Sequence, residues 1–182
     1  MIVYHGSNRC FRKLRIHKSL VNSSASELNE GLGIYFALDR STAASYGRYL
    51  YTLEINDKYL KDFRRRNVCH AYVYKLVKYI YDKEKINITK YFNVENLVSG
   101  MVEGYLPING VCRREVYLLL DSNEKWYFEV PEDKQERIFK ILQRYDKDNL
   151  TVYLFNYNIK NIGIIRKIDD NIVRIISRER IA

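Results

Sequence analysis

Glu30-Gly31-Leu32-Gly33-Ile34-Tyr35-Phe36-Ala37-Leu38-Asp39-Arg40-Ser41-Thr42-Ala43-Ala44-Ser45-Tyr46-Gly47 joins a strand signal to a helix signal in one short run. Its two halves have different periods. Ile34-Tyr35-Phe36-Ala37 is a short apolar run entered through two glycines, which suits a buried strand. Asp39 or Ser41 then caps a helix through Thr42, Ala43, Ala44 and Tyr46. The glycines let a ligand come close to the backbone. Tyr35 and Tyr46 offer flat faces, one from the strand and one from the helix, and a planar ring fits between them. By itself, Gly-Leu-Gly before a strand is an ordinary turn.

The N-terminus adds a second motif. Ile2-Val3-Tyr4-His5-Gly6-Ser7 reads as a short strand ending in His-Gly-Ser. Together, His5-Gly6-Ser7, Gly31-Leu32-Gly33-Ile34-Tyr35-Phe36-Ala37 and Ser41-Thr42-Ala43-Ala44-Ser45-Tyr46 resemble the ADP-ribosyltransferase fold. The likeness is to the histidine-tyrosine branch shared by poly(ADP-ribose) polymerases and diphtheria-like toxins. It covers roughly the first quarter of the chain. The resemblance implies an α+β domain spanning residues 1–182, with a split mixed and antiparallel sheet flanked by helices. It also implies NAD as substrate.

In such a pocket His5 would donate to a ribose hydroxyl. Gly6 would set its backbone against the nicotinamide carboxamide, with Ser7 and Gly33 beside it. Tyr35 and Tyr46 would stack on the nicotinamide ring. The family's third catalytic group is a glutamate opening a late strand, and here the chain departs. The matching segment Asp148-Asn149-Leu150-Thr151-Val152-Tyr153 puts Asn149 at the glutamate position. Asn149 accepts a hydrogen bond but cannot act as a base. Asp148, one residue earlier, supplies the charge if the register shifts by one, since a one-residue slip changes the face. Glu103, Glu115 and Glu129 are remoter candidates. Ala43 replaces a serine that in the family bonds the carboxamide, leaving Ser41 or Ser45 to compensate.

Loss of the glutamate argues against chain elongation. The expected activity is therefore transfer of a single ADP-ribose to a protein or nucleic-acid acceptor, with release of nicotinamide. Bacterial and phage enzymes of this kind act as toxins or modify host machinery, so an antitoxin or inhibitor belongs among the expected partners. Two other readings compete. One is a non-catalytic NAD- or ADP-ribose-binding module. The other is a basic RNA-binding protein using Arg64-Arg65-Arg66 and the C-terminal arginines, with the motif match accidental.

Composition bounds these readings. Hydrophobic residues make up 47% of 182 residues, with 8 Gly and 2 Pro, which suits one folded domain. No apolar run is long enough to cross a bilayer, and no signal peptide is visible, so a cytoplasmic protein is expected, in a host cell if it is delivered there. Cys10, Cys69 and Cys112 are odd in number and read as reduced thiols. With His5, His17 and His70 the only histidines, no Cys-His cluster suggests zinc. The 31 Lys and Arg against 22 Asp and Glu give a charge of +9, which attracts polyanions, nucleic acid first. Lysine-rich composition, with abundant Asn, Ile and Tyr, is the plainer source of the same charge.

Along the chain, residues 8–30 are polar, with Arg9, Arg12, Lys13, Arg15, His17 and Lys18 basic and residues 22–27 a connector. Residues 49–55 alternate as a strand. Residues 58–82 have helical spacing, with the arginine triplet at a bend. Residues 93–102 stay open between helix and strand. A loop follows around residues 104–110. Residues 114–120 and 125–130 form either a hairpin or a helix and a strand. Pro131 opens a helix to about Tyr145, with Ile138, Ile141 and Leu142 inward. Strands are expected over residues 150–155, 159–168 and 171–176. Arg166, Lys167, Arg174, Arg178 and Arg180 form a second basic patch.

Overall fold

The computed structural model of the chain describes residues 1–16, 33–91, 93–103, 132–157 and 159–181. Several expectations fall outside them: the connector at 22–27, the loop at 104–110, both segments between 114 and 130, His17, Cys112, Glu115, Glu129 and Pro131. The chain divides into two compact units, Met1–Asp62 with Leu150–Ala182, and Phe63–Asn149.

The first unit is built on a mixed sheet of seven strands. They are β1 (Ile2–Ser7), β2 (Ile34–Ala37), β3 (Tyr49–Ile55), β4 (Leu60–Asp62), β5 (Val152–Tyr157), β6 (Lys160–Ile165) and β7 (Val173–Arg180). Their order is β4-β5-β6-β2-β1-β3-β7. Among the described residues only the β4–β5 pair is parallel. The architecture is α+β, as the sequence implies.

Period-2 alternation gives this sheet two different faces. On one, Val3, Ile34, Phe36, Tyr51, Leu53, Val152, Leu154 and Ile165 form a single buried cluster, joined by Leu14 from the segment after β1. Phe11 of that segment stacks flat on Tyr51 with ring centroids 4.0 Å apart. The buried Tyr51 hydroxyl accepts from the Phe11 N–H at 2.7 Å and donates to the Arg9 carbonyl at 3.2 Å. A buried phenol needs such partners, and these two also pin the segment to the sheet.

On the opposite face Ala37 and Leu50 pack with Tyr4 beneath α1 (Arg40–Ala44), whose Ala43 is 2% exposed. Five residues are too few for a helix to persist alone, so packing and capping hold α1. Asp39 is the cap: its carboxylate accepts from the Thr42 N–H and the Ser41 hydroxyl, each at 2.6 Å. Those bonds hold its carboxyl below the usual range.

The expected helix over 58–82 is corrected. Asp57–Tyr59 is a 3-10 turn, Leu60–Asp62 is β4, and the helix α2 runs Arg66–Glu84. The three-and-four spacing of Tyr59, Leu60 and Phe63 mimics a helix, but β4 is drawn into register with β5, Leu60 against Val152. Asn56 stabilises the turn by accepting from the Lys58 N–H at 3.1 Å. The arginine triplet therefore leads into α2 rather than bending it. The open segment at 93–102 is the helix α3 (Val94–Val102), with the Asn93 side chain accepting from Glu95 N–H at 2.8 Å.

The second unit holds α2, α3 and α4 (Glu132–Asn149), which continues past the expected end at Tyr145. Ile138, Ile141 and Leu142 are buried as expected. In the same unit the Tyr72 hydroxyl donates to the buried Asp146 carboxylate. Arg66 forms an ion pair with Glu95 at 2.6 Å. No helix among the described residues is long and apolar enough to cross a membrane.

Candidate functional site

The site expected from the sequence centres on the C-terminal half of β1. That strand runs in register with β3 over six pairs, from Ile2↔Glu54 to Ser7↔Tyr49. With β2, among the described residues, it shares one registered pair, Tyr4↔Ala37. One residue further along β1, the His5 ring bonds the neighbouring strand: Nδ1 lies 2.6 Å from the Tyr35 carbonyl oxygen. A carbonyl only accepts, so Nδ1 carries the proton. Burial lowers the His5 pKa below the ordinary imidazole value, and the bond to Tyr35 opposes this in part. The ring is thus neutral at pH 7, with Nε2 as an acceptor. In this tautomer Nε2 can accept a hydrogen bond but not donate one, the opposite of the role expected for His5 from the sequence.

Gly6 has a reason of its own to be glycine. A Cβ there would lie 1.9 Å from the Ala43 carbonyl oxygen and 3.1 Å from the Tyr46 Cβ. A Cβ at Gly47 would lie 2.2 Å from the Ser7 carbonyl carbon. The two glycines let α1 and the turn after it settle on β1, bringing the backbone of Tyr46 beside Gly6. Gly33 plays the same part on the other side, where a Cβ would meet Ile164 Cγ2 at 2.3 Å. The expected close approach of a ligand is, at these positions, a close approach of the protein's own elements. Tyr46 is 52% exposed and presents its ring to solvent.

Alternation sorts the remaining candidates. Tyr35 lies two residues from Ala37, so it shares the face of Tyr4, Gly6 and α1. His5 shares the other face, its ring centroid 6.0 Å from that of Tyr51 and 5.9 Å from that of Phe11. The imidazole and the two phenols thus flank β1 from opposite sides, linked through the Tyr35 carbonyl. Ser7 Oγ accepts from the Arg9 N–H at 3.1 Å. The compensation expected from Ser41 or Ser45 for Ala43 is not available as a free donor. Ser41 Oγ bonds Asp39, and Ser45 Oγ donates to the Thr42 carbonyl at 2.7 Å.

Asp148 and Asn149 belong to the second unit, in the last turn of α4 rather than at the opening of a strand. Both are exposed. The Asn149 amide donates back to the Tyr145 carbonyl at 2.9 Å. Glu103 is an exposed residue at the end of α3. The sequence reading missed the Phe11–Tyr51 stack that backs His5. Tyr51 sits in a regular alternation where it reads as core; only its register opposite His5 gives it a place here.

No protein-family model matches the chain, and no curated protein matches it. Among solved structures, the crystal structure of an anti-CRISPR protein is similar with a TM-score of 0.43 and 16% identity, covering 97% of this chain and 95% of that one.

Proposed function

We propose that the chain is an NAD-dependent mono-ADP-ribosyltransferase. The observation that supports it most is the His5 Nδ1 bond to the Tyr35 carbonyl where β1 leaves β2, with Gly6 seated beside Tyr46 on the other face. In this reading Tyr35 and Tyr46 bracket the nicotinamide ring on one face of β1 and the Gly6 main chain meets its carboxamide, while the attached ribose passes the strand to the His5 side. His5 Nε2 accepts a ribose hydroxyl. The bond between nicotinamide nitrogen and ribose C1′ breaks with its electron pair going to nicotinamide, which leaves neutral. The oxocarbenium-like ribose is then attacked by one acceptor nucleophile, which loses a proton.

The test is incubation with NAD labelled in its adenosine half, using lysate protein and RNA as acceptor pools. Label transfer with nicotinamide release, both lost in His5→Ala, is the expected result. No transfer and no release from either pool would contradict it.

A second reading is favoured by one observation: Asn149 cannot serve as a base and its amide is engaged within α4. It is a module that binds NAD without turning it over. Calorimetry would then show NAD binding with no nicotinamide release, and detectable release would contradict this reading.

A further inference from the structure

The segment following β1 is sorted by side. Leu14 is buried and Phe11 and Ile16 are packed against the cluster, while Arg9, Arg12, Lys13 and Arg15 are exposed. Phe11 fixes this arrangement through its stack on Tyr51 and its N–H bond to the Tyr51 hydroxyl. Arg178 adds to the same side: it stands opposite Tyr51 on β7, and its guanidinium donates to the Phe11 carbonyl at 3.4 Å. Among the described residues no carboxylate forms an ion pair with Arg9, Arg12, Lys13 or Arg15, whereas Arg40 is paired with Glu179 and Arg174 with Glu54. The strip therefore holds four cations on a pinned backbone, uncompensated, beside the ring of His5.

We propose that the outward side of residues 9–15 is a docking surface for the phosphate backbone of single-stranded nucleic acid. Three features choose that partner. Three of the four cations are arginines, whose planar fork matches phosphate. The strip exposes no large apolar side chain, the anchor a protein partner would need. Its position beside His5 suits an acceptor, and chemistry on a base requires a strand whose bases are free of a duplex. The acceptor role and the choice of a single strand rest on the transferase reading above; the phosphate binding does not.

The experiment measures fluorescence anisotropy of labelled single-stranded RNA and DNA of one sequence, without NAD, against salt concentration. Four phosphate contacts predict a log–log slope of about −2 to −3. The variant Arg9→Gln/Arg12→Gln/Lys13→Gln/Arg15→Gln is expected to bind at least about tenfold more weakly, with its slope falling towards zero. Lysine at the three arginine positions should keep the slope, and Lys58→Gln/Lys167→Gln should bind as the parent does. The RNA and DNA arms separate the two sugars.

Equal binding by the glutamine variant overturns the proposal. So does binding to phosphatidylserine vesicles without binding to oligonucleotides, full displacement by polyglutamate, or no oligonucleotide binding at all. If the parent binds the strand but never releases nicotinamide, the transferase reading fails and the surface stands. If nicotinamide is released and the strip proves indifferent to nucleic acid, the surface fails alone.

Discussion

His5 carries more of the account than any other residue, because its proton is assigned by geometry. With Nδ1 committed to Tyr35, a neutral ring offers Nε2 as an acceptor, and a cationic ring cannot. Activity is therefore expected to rise from acid through a pKa below the usual 6.5 of histidine and to be flat above neutrality. A pH profile of nicotinamide release checks this, and a profile that falls as His5 loses its proton would be inconsistent with it. The same shift has a stability sign. The folded state disfavours the cation, so the His5 contribution is complete above the unfolded value of about 6.5 and is lost as pH falls towards the folded pKa. Tyr51 gives a second prediction at this scale. Tyr51→Phe leaves the Phe11 N–H and the Arg9 carbonyl without their partner, and denaturant unfolding should show a loss of about 1–3 kcal/mol. None of these bonds was legible in the sequence, since a lone histidine or tyrosine does not announce which backbone group it will meet.

At the scale of elements, β1, β2, β3 and α1 follow from local signals. Apolar alternation, Asp39 at the helix start and the glycines at 6 and 47 all agree with the structure. The purpose of Gly6 did not follow, because a clash with the Ala43 carbonyl is a fact of packing across 37 residues. Gly6→Ala should lift α1 from β1 and cost about 1–3 kcal/mol, as overpacking does. A thermal melt would read that cost, and calorimetry should show NAD binding lost with it, because Tyr46 moves with α1. An unchanged melting temperature would place α1 elsewhere. β4 was misread for the converse reason: Tyr59, Leu60 and Phe63 have helical spacing, and only the pairing with β5 decides otherwise. Asp148 and Asn149 were expected at the opening of a strand, whereas the helix before β5 runs to Asn149.

For the whole molecule, the coarse class expected through the resemblance, α+β, agrees with the structure, but the strand order was not legible. Placing β6 between β5 and β2, and β4 parallel to β5, depends on pairings far apart in the chain that no local period encodes. The charge of +9 was visible from composition, while its partition into paired and unpaired arginines was not. Ligand linkage belongs at this scale. NAD at a hundred times its Kd should stabilise the fold by about 2.7 kcal/mol, raising Tm, and His5→Ala should remove most of that rise.

Soaking a crystal of the protein with NAD decides where the dinucleotide binds. The nicotinamide ring is expected between Tyr35 and Tyr46, its carboxamide on the Gly6 backbone, and a ribose hydroxyl within hydrogen-bond reach of His5 Nε2. A dinucleotide bound away from β1, or stacked on neither tyrosine, would contradict it.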